Sequence, residues 1–356
     1  MIEKQQKAFF SVELMSWNEN SNHRVMPWKG ISDPYKIWLS EIILQQTRVE
    51  QGTAYYERFI ANFPSVDVLA NAPDEKIFKL WEGLGYYSRC RNLIHTARHV
   101  NNNLCGVFPG TMAGLLSLKG VGAYTAAAIA SFSFGLPQAV VDGNVLRVLA
   151  RYFGINNPVD ETAGKILFGK LAQELIDLNE PAKYNQAIMD FGATVCKPMQ
   201  PRCLECPLNE TCVANIDKKQ SSYPVKSPKK QPRSRWFYYL VLEHQNNLLV
   251  IQRKDKGIWK DLHEFFLKEE LSATDESLIF DAGYWGIPGL SIDTSHAILS
   301  KEFIHILTHQ RIYGRFLHVR IDQKVEIDGY TWLSSNEIDR IAFPRLITKY
   351  LEMKEA

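Results

Sequence analysis

One stretch, residues 115–151, constrains the fold more than any other part of the sequence. Its first half, LLSLKGVGAYTAAAIAS, predicts a short helix that ends near Leu118, a tight hairpin, and a second helix over residues 124–131. Glycine in the hairpin permits backbone angles that other residues avoid, and it leaves amide groups bare beside a helix N-terminus, where an anion can bind. A phosphate of nucleic acid is the obvious anion. The predicted backbone-binding residues are Lys119, Gly120, Val121 and Gly122.

A carboxylate follows this hairpin closely in the sequence. After the second helix the chain turns at Gly135 and Pro137, and it then enters a new helix at Asp142. Asp142 is therefore presented close to a hairpin that can hold phosphate. Aspartate is also a common N-cap, so Asp142 serves either as a functional carboxylate or only as a cap.

Glu41 is a second carboxylate in an unusual position. Asp33 and Pro34 predict a helix start, and the helix that follows, YKIWLSEIILQQ, is apolar nearly all round. Burial would raise the pKa of Glu41 and favour its protonated form, which a general acid needs near neutral pH. Alternatively, Glu41 lies on a narrow solvent-facing stripe beside Ser40 and Gln45.

Four of the six cysteines fall within a short proline-bent segment with the spacing C-x6-C-x2-C-x5-C. Crowded thiolates of this kind favour one metal centre over a disulfide framework. From spacing alone, zinc is the general alternative to an iron–sulfur cluster. The candidate ligands are Cys196, Cys203, Cys206 and Cys212.

The length and composition predict two domains. A chain of 356 residues with 46% apolar residues is neither disordered nor fibrous, and its net charge of +2 says nothing about a nucleic-acid partner. Residues 217–235 contain seven Lys or Arg against one Asp, with no apolar periodicity, which indicates a basic linker. We therefore expect a domain over residues 1–216 and a second domain over residues 236–356. Strands are predicted at 236–244, 248–253, 264–267, 304–307 and 312–321, and a helix at 343–353.

No segment predicts membrane insertion or export. The N-terminus lacks an apolar signal core, and no apolar run approaches the roughly 18 residues of a membrane span. We expect a cytoplasmic protein without a membrane partner.

Three separated motifs resemble one family. LKGVGAYTAAAIA with VVDGNV is similar to the helix-hairpin-helix and following aspartate of the endonuclease III superfamily of DNA glycosylases. SEIILQQTRVE resembles the motif that carries the catalytic glutamate, and the cysteine spacing resembles the [4Fe–4S] signature. The nearest branch is the MutY-type adenine DNA glycosylases, which remove adenine mispaired with 8-oxoguanine. This resemblance implies an all-α helix-hairpin-helix domain with an iron–sulfur loop at residues 196–212, and a C-terminal α+β Nudix-like domain.

The resemblance also implies roles for individual residues. Glu41 would protonate adenine N7, and Asp142 would stabilise the oxocarbenium ion or capture it covalently. Tyr124 and Asn144 would hold the carboxylates and water. Gln45 would fill the gap left by the extruded base, and Tyr86 would be the inserted wedge. The residues that would line the adenine pocket are Arg24, Trp28, Lys29 and Gln186.

Tyr124 distinguishes between branches of the superfamily. Bifunctional members place at this position a lysine whose amine attacks the sugar, and a phenol cannot form a Schiff base. The resemblance therefore favours a monofunctional enzyme. The alternatives are a pyrimidine-directed glycosylase and abasic-site lyase, and a non-catalytic lesion-binding DNA protein.

In the second domain, Leu307, Thr308 and His309 correspond to the Phe-Ser-His turn with which relatives read 8-oxoguanine. Leu307 replaces the aromatic residue, whereas Thr308 keeps a hydroxyl. The sequence contains no REXXEE-type carboxylate cluster, so this domain is expected to recognise its ligand without hydrolysing it. The implied partner is double-stranded DNA with adenine opposite 8-oxoguanine or guanine, bound by a monomer associated with the nucleoid.

Overall fold

The computed structural model describes residues 4–228, 231–255 and 257–355. These residues form two compact units, of which the first holds residues 4–71 and 92–228 and the second holds residues 72–91, 231–255 and 257–355. No helix among the described residues is long and apolar enough to cross a membrane.

The N-terminal two thirds of the chain is helical. Two short 3-10 turns, Cys203–Glu205 and Gln220–Ser222, interrupt its last part. The α-helices in chain order are α1 (Lys4–Asn20), α2 (Pro34–Leu44), α3 (Val49–Asn62), α4 (Val66–Asn71), α5 (Asp74–Trp81), α6 (Tyr87–Asn103), α7 (Met112–Ser117), α8 (Ala123–Phe134), α9 (Gly143–Phe153), α10 (Thr162–Leu175), α11 (Pro181–Thr194) and α12 (Val213–Ile216).

The core of the first unit forms around α9, whose inner face is apolar. Val145 and Leu149 of α9 are buried together with Phe10 and Trp17 of α1 and with Phe191 of α11. Trp17 and Phe191 meet edge to face, with ring centroids 5.0 Å apart. This packing fixes the N-terminus of α9 relative to α11, and both of these helices contribute to the site described below.

Residues 72–91 differ from the sequence prediction, which placed them in the N-terminal domain. Within the second unit, α5 buries Ile77, Phe78 and Trp81, and the Phe343 backbone N–H donates to Glu82 Oε1 at 2.8 Å. A short amphipathic helix takes most of its stability from packing against other elements. Here the hydrogen-bond partner, Phe343, is 261 residues away in the sequence, so local patterns could not reveal the unit to which α5 belongs.

The second unit contains one mixed sheet. Its strands pair antiparallel, except that β1 and β7 are parallel, with Arg233 opposite Gln310 and Glu243 opposite Arg320. The path β3-β2-β1-β7-β5 runs across the sheet, while β4 pairs with β1, β6 with β7, and β8 with β2. The strands are β1 (Arg233–His244), β2 (Asn247–Gln252), β3 (His263–Glu264), β4 (Phe266–Glu270), β5 (Ile298–Leu299), β6 (Phe303–Ile306), β7 (Gln310–Arg320) and β8 (Thr331–Ser334).

Alternating side chains cover both faces of this sheet, as the two-residue period of a strand requires. Leu240 and Leu317 belong to one apolar cluster, which includes residues near the short helices α13 (Glu276–Ile279) and α14 (Ala282–Trp285). Tyr239 and Phe316 stack on the other face, where Phe316 also stacks on Tyr350 at 4.2 Å. Tyr350 lies on α16 (Arg345–Glu355), and the remaining helix is α15 (Ser335–Ile338).

The predicted fold class, a helical domain followed by an α+β domain, is confirmed. Each predicted strand overlaps an observed strand, although residues 264–267 divide between β3 and β4, and β5 and β8 were not predicted. The predicted linker is partly ordered. Its last residues, from Arg233, already belong to β1, and the Ser227 backbone N–H donates to Asp160 in the first unit.

Candidate active site

The glycine hairpin forms where the sequence predicts it. It joins α7 to α8 and is exposed to solvent except at Val121. Gly120 has φ +83°, and a Cβ there would lie 2.7 Å from Asn92 Cβ, so only glycine fits. One detail differs from the prediction: the Val121 N–H is not bare, because it donates to the Leu118 carbonyl at 3.1 Å.

A cavity of about 490 Å³ in the first unit brings together residues from distant parts of the sequence. Its volume falls in the range typical of small-ligand sites. All eight residues that were predicted for catalysis or for the adenine pocket line it. They are Arg24, Trp28, Lys29, Glu41, Tyr124, Asp142, Asn144 and Gln186.

Glu41 lies in this cavity on α2 with only 7% of its surface exposed, so it does not occupy a solvent-facing stripe. The Asp33 side chain caps α2 by accepting from the Tyr35 and Lys36 backbone N–H groups, which sets where the helix begins. Burial raises the pKa of Glu41 to about 7, and a hydrogen bond with Tyr124 opposes that rise. Glu41 can therefore be a neutral acid near neutral pH.

Asp142 is both an N-cap and a cavity residue, so the two interpretations of its sequence position are compatible. Its Oδ1 accepts from the backbone N–H groups of Asn144 at 2.8 Å and Val145 at 2.7 Å, and its Oδ2 accepts from Asn144 Nδ2 at 2.7 Å. Burial raises the pKa of Asp142, but these hydrogen bonds and the charge of Arg147 act in the opposite direction. The N-terminus of α9 also favours a negative charge.

Arg147 connects Asn144, the hydrogen-bond partner of Asp142, to Cys196, the first of the clustered cysteines. The sequence did not predict a role for it. Its Nη2 donates to Asn144 Oδ1 at 2.9 Å and to the Gly192 carbonyl at 2.7 Å, while its Nε donates to the Cys196 carbonyl at 2.8 Å. It is buried, although arginine in an amphipathic helix is usually exposed. Arg147 thereby fixes the side chain that hydrogen-bonds to Asp142.

Asp190 organises the opposite part of the site, and it was also missed. It is fully buried on α11, and its carboxylate accepts hydrogen bonds from four side chains. Three of the donors are predicted pocket residues. The donors are Asn22 (2.9 Å), Arg24 (2.8 Å), Lys29 (2.9 Å) and Gln186 (3.0 Å).

Gln45 lies at the C-terminal end of α2, on the same helix as Glu41. Its backbone N–H donates to the Glu41 carbonyl at 3.2 Å, and its Nε2 donates to Thr125 Oγ1 at 3.2 Å. Gln46 follows with φ +55°, which turns the chain sharply. Gln45 is thus half-buried beside the exposed Gln46, and it is not among the cavity-lining residues.

Tyr86 and the predicted reading residues lie in the second unit. The Tyr86 hydroxyl is 2.8 Å from Thr308 Oγ1, and Tyr86 is 46% exposed with φ +47°. Thr308 and His309 are exposed at the turn between β6 and β7, where the Leu307 N–H donates to the Gln310 carbonyl. The predicted wedge and the predicted reader are therefore hydrogen-bonded neighbours.

The four clustered cysteines line one small cavity together with Arg151. Arg151 Nη1 lies 3.4 Å from Cys196 Sγ and donates to the Lys197 carbonyl at 2.6 Å. Burial raises the pKa of Cys206 to about 12, and the neighbouring thiols add to that rise. Within the described ranges, no three His, Cys, Asp or Glu side chains form a group that could hold a metal ion.

Comparisons with known proteins agree with this architecture. The model of the HhH-GPD superfamily base excision DNA repair protein matches residues 39–173, and a NUDIX domain model matches residues 237–353. The adenine DNA glycosylase of Buchnera aphidicola subsp. Schizaphis graminum is 35% identical over 97% of this chain and 98% of its own length. The human adenine DNA glycosylase is 31% identical over 96% of this chain and 73% of its own. A solved thermostable thymine-DNA glycosylase aligns with a TM-score of 0.56 at 29% identity, over 60% of this chain and 98% of its own.

Fold and site together define a helix-hairpin-helix DNA glycosylase of base excision repair, with DNA as its partner. Within that class, the adenine DNA glycosylases that are 31%, 33% and 35% identical align with 96% or 97% of this chain. The chain belongs to the adenine DNA glycosylase family.

Proposed function

We propose that this enzyme hydrolyses the N-glycosidic bond of adenine that stands opposite 8-oxoguanine or guanine in duplex DNA. The observation that carries this proposal is the pairing of Glu41, whose pKa is raised to about 7, with Asp142 in a cavity large enough for one base. A neutral acid and a hydrogen-bonded carboxylate are what purine release requires: the acid protonates the leaving base, and the anion stabilises the sugar.

The reaction begins with extrusion of adenine from the helix, which costs a few kcal/mol and less at a mispair. The hairpin at residues 119–122 binds the backbone, Gln45 fills the gap, and Tyr86 inserts as the wedge. Trp28 supplies an aromatic wall to the cavity, held edge to face against Tyr56 at 5.2 Å.

Bond cleavage then divides between the two carboxyl groups. Glu41 gives its proton to adenine N7, the bond from C1′ to N9 breaks, and the electron pair of that bond leaves with the base. The sugar is left as an oxocarbenium ion, which ionised Asp142 stabilises or captures transiently. Water adds at C1′ and passes a proton to Glu41, which restores the acid. Tyr124 and Asn144 keep the two carboxyl groups and the water in place.

The reaction stops at the abasic site. Tyr124 occupies the position where a lyase would carry its amine, and burial raises the pKa of this phenol well above its usual value. A phenol cannot form the Schiff base that leads to strand cleavage. The test is an excision assay on a duplex with adenine opposite 8-oxoguanine. Adenine should be released while the product strand stays intact until alkali is added. Strand cleavage without alkali, with a covalent adduct trapped by borohydride, contradicts the proposal.

The four cysteines fit a [4Fe–4S] cluster better than one zinc ion. The four partly buried thiols line one shared cavity, and their spacing, C-x6-C-x2-C-x5-C, resembles the [4Fe–4S] signature of the family. When bound, the cluster would shape the loop next to DNA and supply no chemical step. The purified protein should contain iron and absorb visible light. A colourless, iron-free and fully active protein contradicts this assignment.

The second unit would read the base opposite adenine. Thr308 offers a hydroxyl at an exposed turn, His309 lies next to it, and Leu307 takes the place of an aromatic residue. This assignment rests on the position of the turn beside Tyr86 in the same unit.

A further inference from the structure

Asp190 accepts hydrogen bonds from three side chains that line the cavity, those of Arg24, Lys29 and Gln186. It is fully buried, it does not itself line the cavity, and its two oxygens have separate donors. Oδ1 accepts from Arg24 Nη1 and Gln186 Nε2, whereas Oδ2 accepts from Lys29 Nζ and Asn22 Nδ2. Two cations and two amides therefore share one carboxylate as a hydrogen-bond acceptor.

The chemistry of a carboxylate fixes which way the Gln186 amide faces. An ionised carboxylate only accepts hydrogen bonds, so the group of Gln186 that meets it must be the amide nitrogen. Nε2 is 3.0 Å from Asp190 Oδ1 and makes the one hydrogen bond of this side chain among the described residues. The amide oxygen is thus left for a ligand in the cavity that Gln186 lines.

An amide oxygen fixed in this way selects a hydrogen-bond donor. In adenine, N7 and the 6-amino group lie on the same edge, so a base with N7 at Glu41 presents its amino group on that edge. A 6-oxo purine would place a carbonyl oxygen there instead. Two acceptors facing each other in a buried site leave both unsatisfied, which costs about 1–3 kcal/mol.

We propose that Asp190 is a positioning residue which, by holding the Gln186 amide with its oxygen toward the cavity, makes the enzyme select a 6-amino purine over a 6-oxo purine. This inference rests on the proposed function. The isosteric change Asp190→Asn tests it, because each oxygen position of Asp190 meets one cation and one amide. If the new NH2 group replaces Oδ1, the Gln186 amide must rotate so that its oxygen accepts from this group. If the NH2 group replaces Oδ2, it faces the Lys29 ammonium as a second donor, and the hydrogen bond between them is lost.

The experiment compares single-turnover excision of adenine and of hypoxanthine, each opposite 8-oxoguanine, in the full-length protein. The ratio of the two rates is compared between variants and wild type, so that the different intrinsic reactivity of the two bases cancels. Asp190→Asn should lower the ratio at least about tenfold, and Gln186→Leu, which removes the amide oxygen directly, should lower it similarly. Asp177→Asn is the matched control, since among the described residues Asp177 accepts hydrogen bonds from the Asn179 and Glu180 backbone N–H groups, before α11. Its ratio should match wild type.

A purely structural role for Asp190 would slow both substrates equally and leave the ratio within about twofold of wild type, which overturns the proposal. An unchanged ratio in Gln186→Leu also overturns it, and this variant decides the question if Asp190→Asn does not fold. A wild-type protein that releases no adenine contradicts the proposed function itself. Adenine release with unchanged ratios contradicts only the role of Asp190.

Discussion

Glu41 and Asp142 share a cavity but have different surroundings, and that difference assigns their roles. Burial raises the pKa of both carboxyl groups. At Glu41 the main opposing influence is a hydrogen bond with Tyr124, and the pKa reaches about 7. At Asp142 two backbone N–H groups, the Asn144 amide and the Arg147 charge all favour the anion. These surroundings support the proposed roles, in which Glu41 donates the proton and Asp142 remains the anion.

The pH dependence of excision follows from these two groups. The single-turnover rate should fall as the pH rises above about 7, because Glu41 loses its proton there. It should also fall in acid, where Asp142 becomes protonated, and this fall begins at a higher pH than for an ordinary aspartate because the pKa of Asp142 is raised. The residual rate of Glu41→Gln should lack the alkaline fall. An alkaline fall that persists in this variant would assign that limb to another group.

Glu41 should also make protein stability depend on pH. Its pKa is about 7 in the folded protein and near 4.5 when exposed, so the unfolded chain loses its proton first as the pH rises. The stabilisation linked to protonated Glu41 is complete below pH 4.5 and is lost as the pH rises through 7. Relative to wild type, Glu41→Gln should therefore gain roughly 2 to 3 kcal/mol between pH 5 and pH 8 in denaturant unfolding. The same change at Glu57, an exposed residue of α3, should give no such gain, and equal pH dependence in both variants would contradict the buried acid.

Among the elements, the hairpin between α7 and α8 makes the sharpest demand on sequence. Gly120 needs a positive φ and has Asn92 Cβ 2.7 Å from where its own Cβ would be, whereas Gly122 has φ −91° and open space. Gly120→Ala should destabilise the protein by about 1–3 kcal/mol and weaken DNA binding. Gly122→Ala is the matched control and should leave stability within about 0.5 kcal/mol. Thermal unfolding checks both, and equal losses would contradict the observed hairpin conformation.

The sequence predicted those elements whose signals are local. The glycine hairpin, the Asp33 cap of α2 and the spacing of the cysteines each depend on neighbouring residues, so they could be read directly. Glu41 was recognisable because a carboxylate interrupted an apolar helix. The position of Asp142 at the start of a helix was predicted, but its role was not, since a capping residue and a cavity-facing residue give the same local sequence pattern.

Other features depend on contacts that no local pattern contains. Asp190 is an ordinary acidic residue of α11 in the sequence, and three of its four partners are more than 160 residues earlier in the chain. Arg147 is similarly defined by partners on other elements. β5 has two residues and β8 four, which is too short for a periodic signal.

At the scale of the whole molecule, the second unit combines residues from both sides of the predicted linker: residues 72–91 lie before it, and the sheet and its helices lie after it. In it, the hydroxyl groups of the predicted wedge residue Tyr86 and the predicted reading residue Thr308 form one hydrogen bond of 2.8 Å. In the proposed function, these two exposed residues would examine the base opposite adenine.

Thr308→Val tests that arrangement, because it keeps the shape of the side chain and removes the hydroxyl. The preference for adenine opposite 8-oxoguanine over adenine opposite guanine should fall by about 3- to 10-fold, the worth of one neutral hydrogen bond. Thr308→Ser keeps the hydroxyl and should retain the wild-type preference. Single-turnover rates on the two duplexes measure it, and an unchanged ratio in Thr308→Val would remove this hydroxyl from partner recognition.

The most direct test of the whole account is the release of free adenine from an 8-oxoguanine duplex by wild type, Glu41→Gln and Asp142→Asn under single-turnover conditions. Wild type should release adenine and leave the strand intact. Each variant should bind the same duplex but release adenine at least about a hundredfold more slowly, because each loses one of the two carboxyl roles. Wild-type rates in Glu41→Gln would contradict the claim that a buried acid and its ionised partner carry out the reaction together.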